Sequence, residues 1–202
     1  MLLQRIQQHF IDSADLKYQC AQTVAPSVEA AVAAVLASLT SGGRILACGN
    51  GASAGLVQSF AASFVGRFER DRPELAAFAL GTNAAVLTGL YNHFEARAVF
   101  ARQVRALGLP GDVLLVVTTQ AQSPEILGAV EAAHEREMTV IALTGTRPGE
   151  LGQMLKDTDV LVSVASERQP RVQEIHQMVL HCICDGVDAQ LLGDPPEPEN
   201  EP

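Results

Sequence analysis

Apolar positions in this chain fall into two rhythms that alternate along most of its length. Five short apolar runs, Arg44–Cys48, Ala76–Leu80, Val113–Val117, Thr139–Leu143 and Val160–Val164, are separated by longer stretches with apolar residues at helical spacing. Unbroken runs of that length suit strands covered on both faces. Strands alternating with helices predict an α/β fold with a doubly wound, five-stranded parallel sheet. Helices are predicted over 53–68, 83–91, 96–107, 124–136 and 172–192. The last carries Val172, Ile175, Val179, Ile183 and Val187 as one stripe, whose default role is core burial.

Two more helices are predicted ahead of the first strand, over residues 2–39. Leu2, Ile6 and Phe10 mark one stripe, and Val28, Val32, Val35, Leu36 and Leu39 another. Pro26 falls where a helix starts. Such helices cover a sheet or pack on another subunit. At the far end, DPPEPENEP has nothing apolar to bury and is expected to be disordered. The expected organisation is therefore helices over 1–40 for oligomerisation, one domain over 41–193, and an acidic tail over 194–202.

The turn after the first strand carries the candidate chemistry. Gly49-Asn50-Gly51 breaks the apolar run, and Ala52 and Ser53 open a helix. The glycines allow positive φ and close approach of another group. Asn50 and Ser53 can cap the helix or bond a ligand, and free N–H groups there suit an anion, phosphate above all. The spacing is neither Gly-x-Gly-x-x-Gly nor a P-loop, so neither a dinucleotide nor ATP is favoured. A second polar loop, Thr118-Thr119-Gln120-Ala121-Gln122-Ser123, follows the strongest strand and precedes Pro124. Its hydroxyls suit a phosphate too; the plainer alternative is a capping turn with Ser123 as N-cap. On the last helix, Gln173 and His181 lie two turns apart and share one broad face. An imidazole there can carry a proton between sugar carbons. No Asp, Glu or His occurs from Ser53 to Val65 to act as its partner.

Composition narrows the classes. Net charge is −9 over 202 residues, which disfavours direct nucleic-acid binding. The four cysteines, Cys20, Cys48, Cys182 and Cys184, lack metal-site spacing and are expected as free thiols in a reducing cytoplasm. No apolar run reaches membrane-spanning length, and LLQRIQQHF is too polar for a signal-peptide core.

Taken in order, CGNGASA, FERDRPELAA, RALGLPGDVLL, MTVIALTG and RVQEIHQMVLHCICD resemble the sugar isomerase (SIS) domain of phosphoheptose isomerases. The resemblance covers about residues 1–193 and implies a flavodoxin-like sheet in a homotetramer with sites between subunits. It also implies a zinc ion and a catalytic glutamate, but the histidine and glutamate positions of that family are Ser59 and Ser63 here. Gln173 and His181 keep the other two ligand positions. The family's Ser-Thr-Ser-Gly-Asn-Ser loop has lost its glycine, and His93 stands where an aspartate is usual. Hydroxyls make poor zinc donors, so no cofactor and no catalytic residue is expected. The pattern is most similar to the non-catalytic, DnaA initiator-associating members (DiaA). That resemblance implies a tetrameric scaffold for DnaA in DNA replication, contacting its N-terminal domain through Leu191 and Leu192. The alternatives are an isomerase acting on sedoheptulose 7-phosphate, or a sensor that binds a sugar phosphate without chemistry. For either, the candidate pocket is Asn50, Gly51, Ala52, Ser53, Thr118, Thr119, Gln120, Ser123, Gln173 and His181.

Overall fold

All five apolar runs become strands, and all run parallel. The computed structural model describes residues 1–193, so the expected disorder of the 194–202 tail lies outside the described residues. The strands are β1 (Ile45–Gly49), β2 (Ala77–Ala79), β3 (Val113–Val117), β4 (Thr139–Thr144) and β5 (Val160–Ser163), in the order β2-β1-β3-β4-β5. Ile45 pairs with both Ala77 and Val113, and Ile141 with Val160. β1 and β3 are buried at every position, as their unbroken apolar sequences require.

The helices are α1 (Leu2–Thr23), α2 (Ala25–Thr40), α3 (Ala52–Val65), α4 (Ala84–His93), α5 (Ala98–Leu107), α6 (Pro124–Glu135), α7 (Gly149–Met154) and α8 (Gln169–Leu192). Alternate strand side chains feed two cores. Ile45, Ala47 and Val113 join residues of α1, α2, α3 and α8, including Val57, Phe64, Ile175 and Val187. Leu46, Cys48 and Leu114 join residues of α5, α6 and α7, including Val104, Val130 and Leu151. The α8 stripe is buried throughout. The α1 stripe is not: Leu2, Ile6 and Phe10 are 72%, 47% and 75% exposed, so a whole apolar row faces outward. Besides shifts of a few residues at other helix ends, one boundary and one helix differ from expectation. α3 stops at Val65 because Gly66 ends it, its N–H bonding Ala62 O at 2.8 Å. α7 was not anticipated; at six residues it is too short to show a helical period.

One ion pair ties the charged link after α3 to α8. Arg72 Nε donates to Asp188 Oδ1 at 2.5 Å, and both side chains are almost fully buried. The same guanidinium donates to Ser63 O and Phe64 O at 2.7 and 2.8 Å, closing the end of α3. Among the described residues no single helix is long and apolar enough to cross a membrane; α1 and α2 qualify only together, and they bend by 66°.

Candidate functional site

The chain leaves β1 toward one face of the sheet and leaves β3 toward the other. Strand order reverses between them, which opens a crevice beyond their carboxyl ends. The two polar loops foreseen from sequence form its lips. Gly49 is obligatory there, because a Cβ would sit 2.8 Å from Val117 O and 2.9 Å from Ser53 Cβ. Gly51 turns the chain into α3 with φ +56° and is the N-cap, without a side-chain cap bond. Neither Asn50 nor Ser53 caps the helix: Ser53 is buried, and Asn50 reaches across the crevice instead.

Asn50 Nδ2 donates to Ser123 Oγ at 2.8 Å and to Glu125 Oε2 at 3.4 Å. Ser123 Oγ in turn donates to Glu125 Oε2 at 2.7 Å. Tyr91 Oη, from α4, donates to Glu125 Oε1 at 3.2 Å. Ser123 holds the N-cap position of α6 as expected, yet its hydroxyl serves this network and not a backbone N–H. Partial burial alone would raise the Glu125 carboxyl. Hydrogen bonds from Ser123, its own backbone N–H, Tyr91 and Asn50 outweigh that, so it lies below the usual carboxylate range and is ionised at neutral pH. Tyr91 moves the other way, raised by burial and by the Glu125 charge, and remains a proton donor.

A cavity of about 770 Å³ lies on one side of this network, lined by Asn50, the 119–125 segment, Arg147 and Gly149. A second, of about 330 Å³, lies on the other side, among Gly49, Gly51, Leu80, Leu87, Tyr91 and Phe100. Asn50 and Glu125 line both. Of the expected residues, Gly51, Ala52, Thr119 and Gln120 stand at these lips, exposed or half-buried. Thr118 does not offer its hydroxyl: it donates to Gln120 O and accepts from Gln120 N within its own loop.

Gln173 and His181 are not gathered with the loops in this chain. Gln173 is half-buried, while His181 is exposed on α8, its Nε2 2.5 Å from Gln177 Nε2 and its ring against Phe68. Ser59 is exposed, and Ser63 Oγ donates to Ser59 O at 3.1 Å within α3. These four residues do not fit a zinc ion: two are hydroxyls, one an amide, and only one an imidazole. Among the described residues no three His, Cys, Asp or Glu side chains cluster as ligands. Sequence reasoning missed Glu125 and Tyr91. The only signal was a carboxylate two residues beyond Ser123, and nothing local tied it to Asn50.

The order β2-β1-β3-β4-β5, all parallel with helices on both faces, defines a flavodoxin-like α/β protein. The SIS domain pattern matches residues 8–145. Over 194 residues the chain is 55% identical to a phosphoheptose isomerase of Methylibium petroleiphilum, covering 96% of this chain and 97% of the other. A phosphoheptose isomerase (GmhA) of Neisseria gonorrhoeae superposes with a TM-score of 0.89 at 43% identity, over 94% of this chain and 100% of that one. One from Francisella tularensis does so with a TM-score of 0.90 at 40% identity, over 93% and 98%. The chain belongs to the SIS-domain family of phosphoheptose isomerases.

These relatives overturn the expectation of a non-catalytic DnaA scaffold and, with it, the link to DNA replication. Similarity across nearly the whole chain leads to proteins named for an isomerisation. Leu191 and Leu192 are 40% and 38% exposed at the end of α8, but lose the partner assigned to them. The reading failed because four changed side chains were weighed above the scaffold that carries them.

Proposed function

We propose that this chain is a sugar-phosphate isomerase that interconverts sedoheptulose 7-phosphate and a heptose 7-phosphate. The carrying observation is the hydrogen-bonded crevice at the β1–β3 reversal, on a chain so similar to named phosphoheptose isomerases. Ketose-to-aldose conversion removes a proton from C1 and returns one to C2, while a proton leaves O1 and one arrives at O2. Such traffic needs positioned acid–base groups and polar contacts to the sugar hydroxyls. Asn50 and Glu125 supply the contacts. His181 lines neither cavity of its own crevice, and in a homotetramer it serves a neighbour's. The outward apolar row of α1 and an apolar groove of about 430 Å³ between α1, α2 and α8 support such an assembly. Unpaired thiols, three of them buried, suit a cytoplasmic setting.

The test is to incubate the purified protein with sedoheptulose 7-phosphate and follow aldose formation. We expect turnover in the wild type and a loss of roughly a hundredfold or more in His181→Ala. Turnover unchanged in the variant would remove His181 from the chemistry. A wild type that makes no aldose would overturn the isomerase reading.

A further inference from the structure

The donor set points to a metal-free member of its family: we propose that the α3–α8 face of this chain holds no zinc and, resting on the isomerase reading, that the Gln173 amide meets with N–H donors the charge a metal would otherwise meet.

The face is well built, but its side chains are not those of a metal site. Ser59 and Ser63 stand one turn apart on α3, and Gln173 and His181 two turns apart on α8. Arg72 ties the two helices, donating to Ser63 O at 2.7 Å and to Asp188 at 2.5 Å. Phe68, just beyond α3, lies against the His181 ring, with centroids 5.4 Å apart. Zinc takes thiolate, imidazole or carboxylate donors. Ser59 and Ser63 offer neutral hydroxyls, and the one on Ser63 is bonded to Ser59 O at 3.1 Å. α3 has no Asp, Glu, His or Cys to replace them. The buried carboxylate of Asp188 is already held by Arg72. One imidazole and one amide leave the charge of a dication unbalanced.

A neutral site changes what the reaction asks of Gln173. When a proton leaves C1 of the ketose, the pair from that C–H bond becomes the C1–C2 double bond and negative charge gathers on O2. O2 then takes a proton; O1 releases one as C2 receives one, which completes the aldose. Without a metal, the charge on O2 is met by hydrogen-bond donors aimed at it. An amide bound to a metal presents its oxygen, whereas a free one also has two N–H donors to present. Gln173 is half-buried on the helix that carries His181, so donor and imidazole reach a neighbour's crevice together in the proposed assembly.

The experiment titrates zinc calorimetrically into the full chain, into His181→Ala, and into a double variant carrying Ser59→His and Ser63→Glu. The wild type should show no saturable site for one ion per subunit. The double variant adds an imidazole and a carboxylate one turn apart and should bind roughly a hundredfold more tightly, since losing even an outer partner of a metal site costs about 10–100-fold. One zinc per wild-type subunit, lost in His181→Ala, would overturn the proposal. A folded double variant that binds no better than the wild type would overturn the part given to the two hydroxyls. Turnover of the ketose phosphate is the second measurement. It should survive dialysis against EDTA, and Gln173→Leu, of similar size but without donors, should lower kcat roughly a hundredfold with KM little changed. Turnover lost to EDTA and restored by zinc would refute the metal-free site, and an unchanged kcat in Gln173→Leu would refute the role of the amide. If no aldose forms under any condition, the isomerase reading fails, while the zinc titration still decides the metal.

Discussion

His176 shows how the core sets a single residue's chemistry. Its side chain is fully buried, with Nε2 3.1 Å from Thr144 O and Nδ1 without a partner among the described residues. Burial drives its pKa down from 6.5 to about 4, against the smaller opposing effect of the Thr144 carbonyl. The ring is therefore neutral in the folded chain at pH 7. On unfolding it regains an ordinary affinity for protons. Its stabilising contribution is complete above pH 6.5 and disappears as pH falls toward 4, worth about 3 kcal/mol in all. Urea unfolding at a series of pH values should show wild-type stability falling more steeply from pH 7 to 4.5 than that of His176→Gln. Parallel slopes would contradict the assignment. Two other buried groups follow the same rule: burial pushes the Cys48 and Cys184 thiols up to about 12, which makes them unreactive.

At the scale of elements, close approach decides where glycine is needed. Gly128 lies within α6, where alanine would ordinarily be worth about 1 kcal/mol more than glycine. Here a Cβ would fall 2.1 Å from Arg97 O and 2.8 Å from Arg97 Cγ, at the foot of α5. Gly128→Ala should force α5 and α6 apart and cost about 1–3 kcal/mol. Gly89, inside α4, has nothing within 4 Å of such a Cβ. Gly89→Ala should instead gain up to about 1 kcal/mol. Thermal unfolding of the two variants side by side decides it: a stabilised Gly128→Ala would refute the packing account.

The elements were largely legible in the sequence, and for a physical reason. A strand buried on both faces must be apolar throughout, so β1 and β3 announce themselves without their neighbours. The crevice was half legible. The glycines at 49 and 51 and the loop at 118–123 bear local marks of a turn and a helix start. What joins them does not: Asn50 meets Ser123 and Glu125 across 73 and 75 residues of chain. Thr118 illustrates the converse. Its hydroxyl looks free in sequence but is consumed by its own loop. The family resemblance was legible from end to end; the activity was not, because Ser59 and Ser63 stand where the family keeps a histidine and a glutamate, while similarity over the whole chain leads to proteins named for an isomerisation.

For the whole molecule, the outward face of α1 is the proposed seam of assembly. Phe10 is 75% exposed, with Leu2, Leu3, Ile6 and Ile11 beside it. An apolar row of this kind marks an interaction surface, and the protein's own copies are its proposed partner. Phe10→Ser, with Ile6→Ser, should shift the sedimentation profile from a tetramer toward smaller species while leaving the circular dichroism of the folded chain unchanged. An undiminished tetramer would exclude α1 as the seam. The reversal between β1 and β3 adds a further consequence. The two banks of the cleft belong to opposite layers of the sheet, and Glu125, half-buried, lines the cavities on both sides. In the proposed assembly a sister subunit would shelter it from bulk solvent, and dilution that parts the subunits should flood the cleft before a single strand unravels.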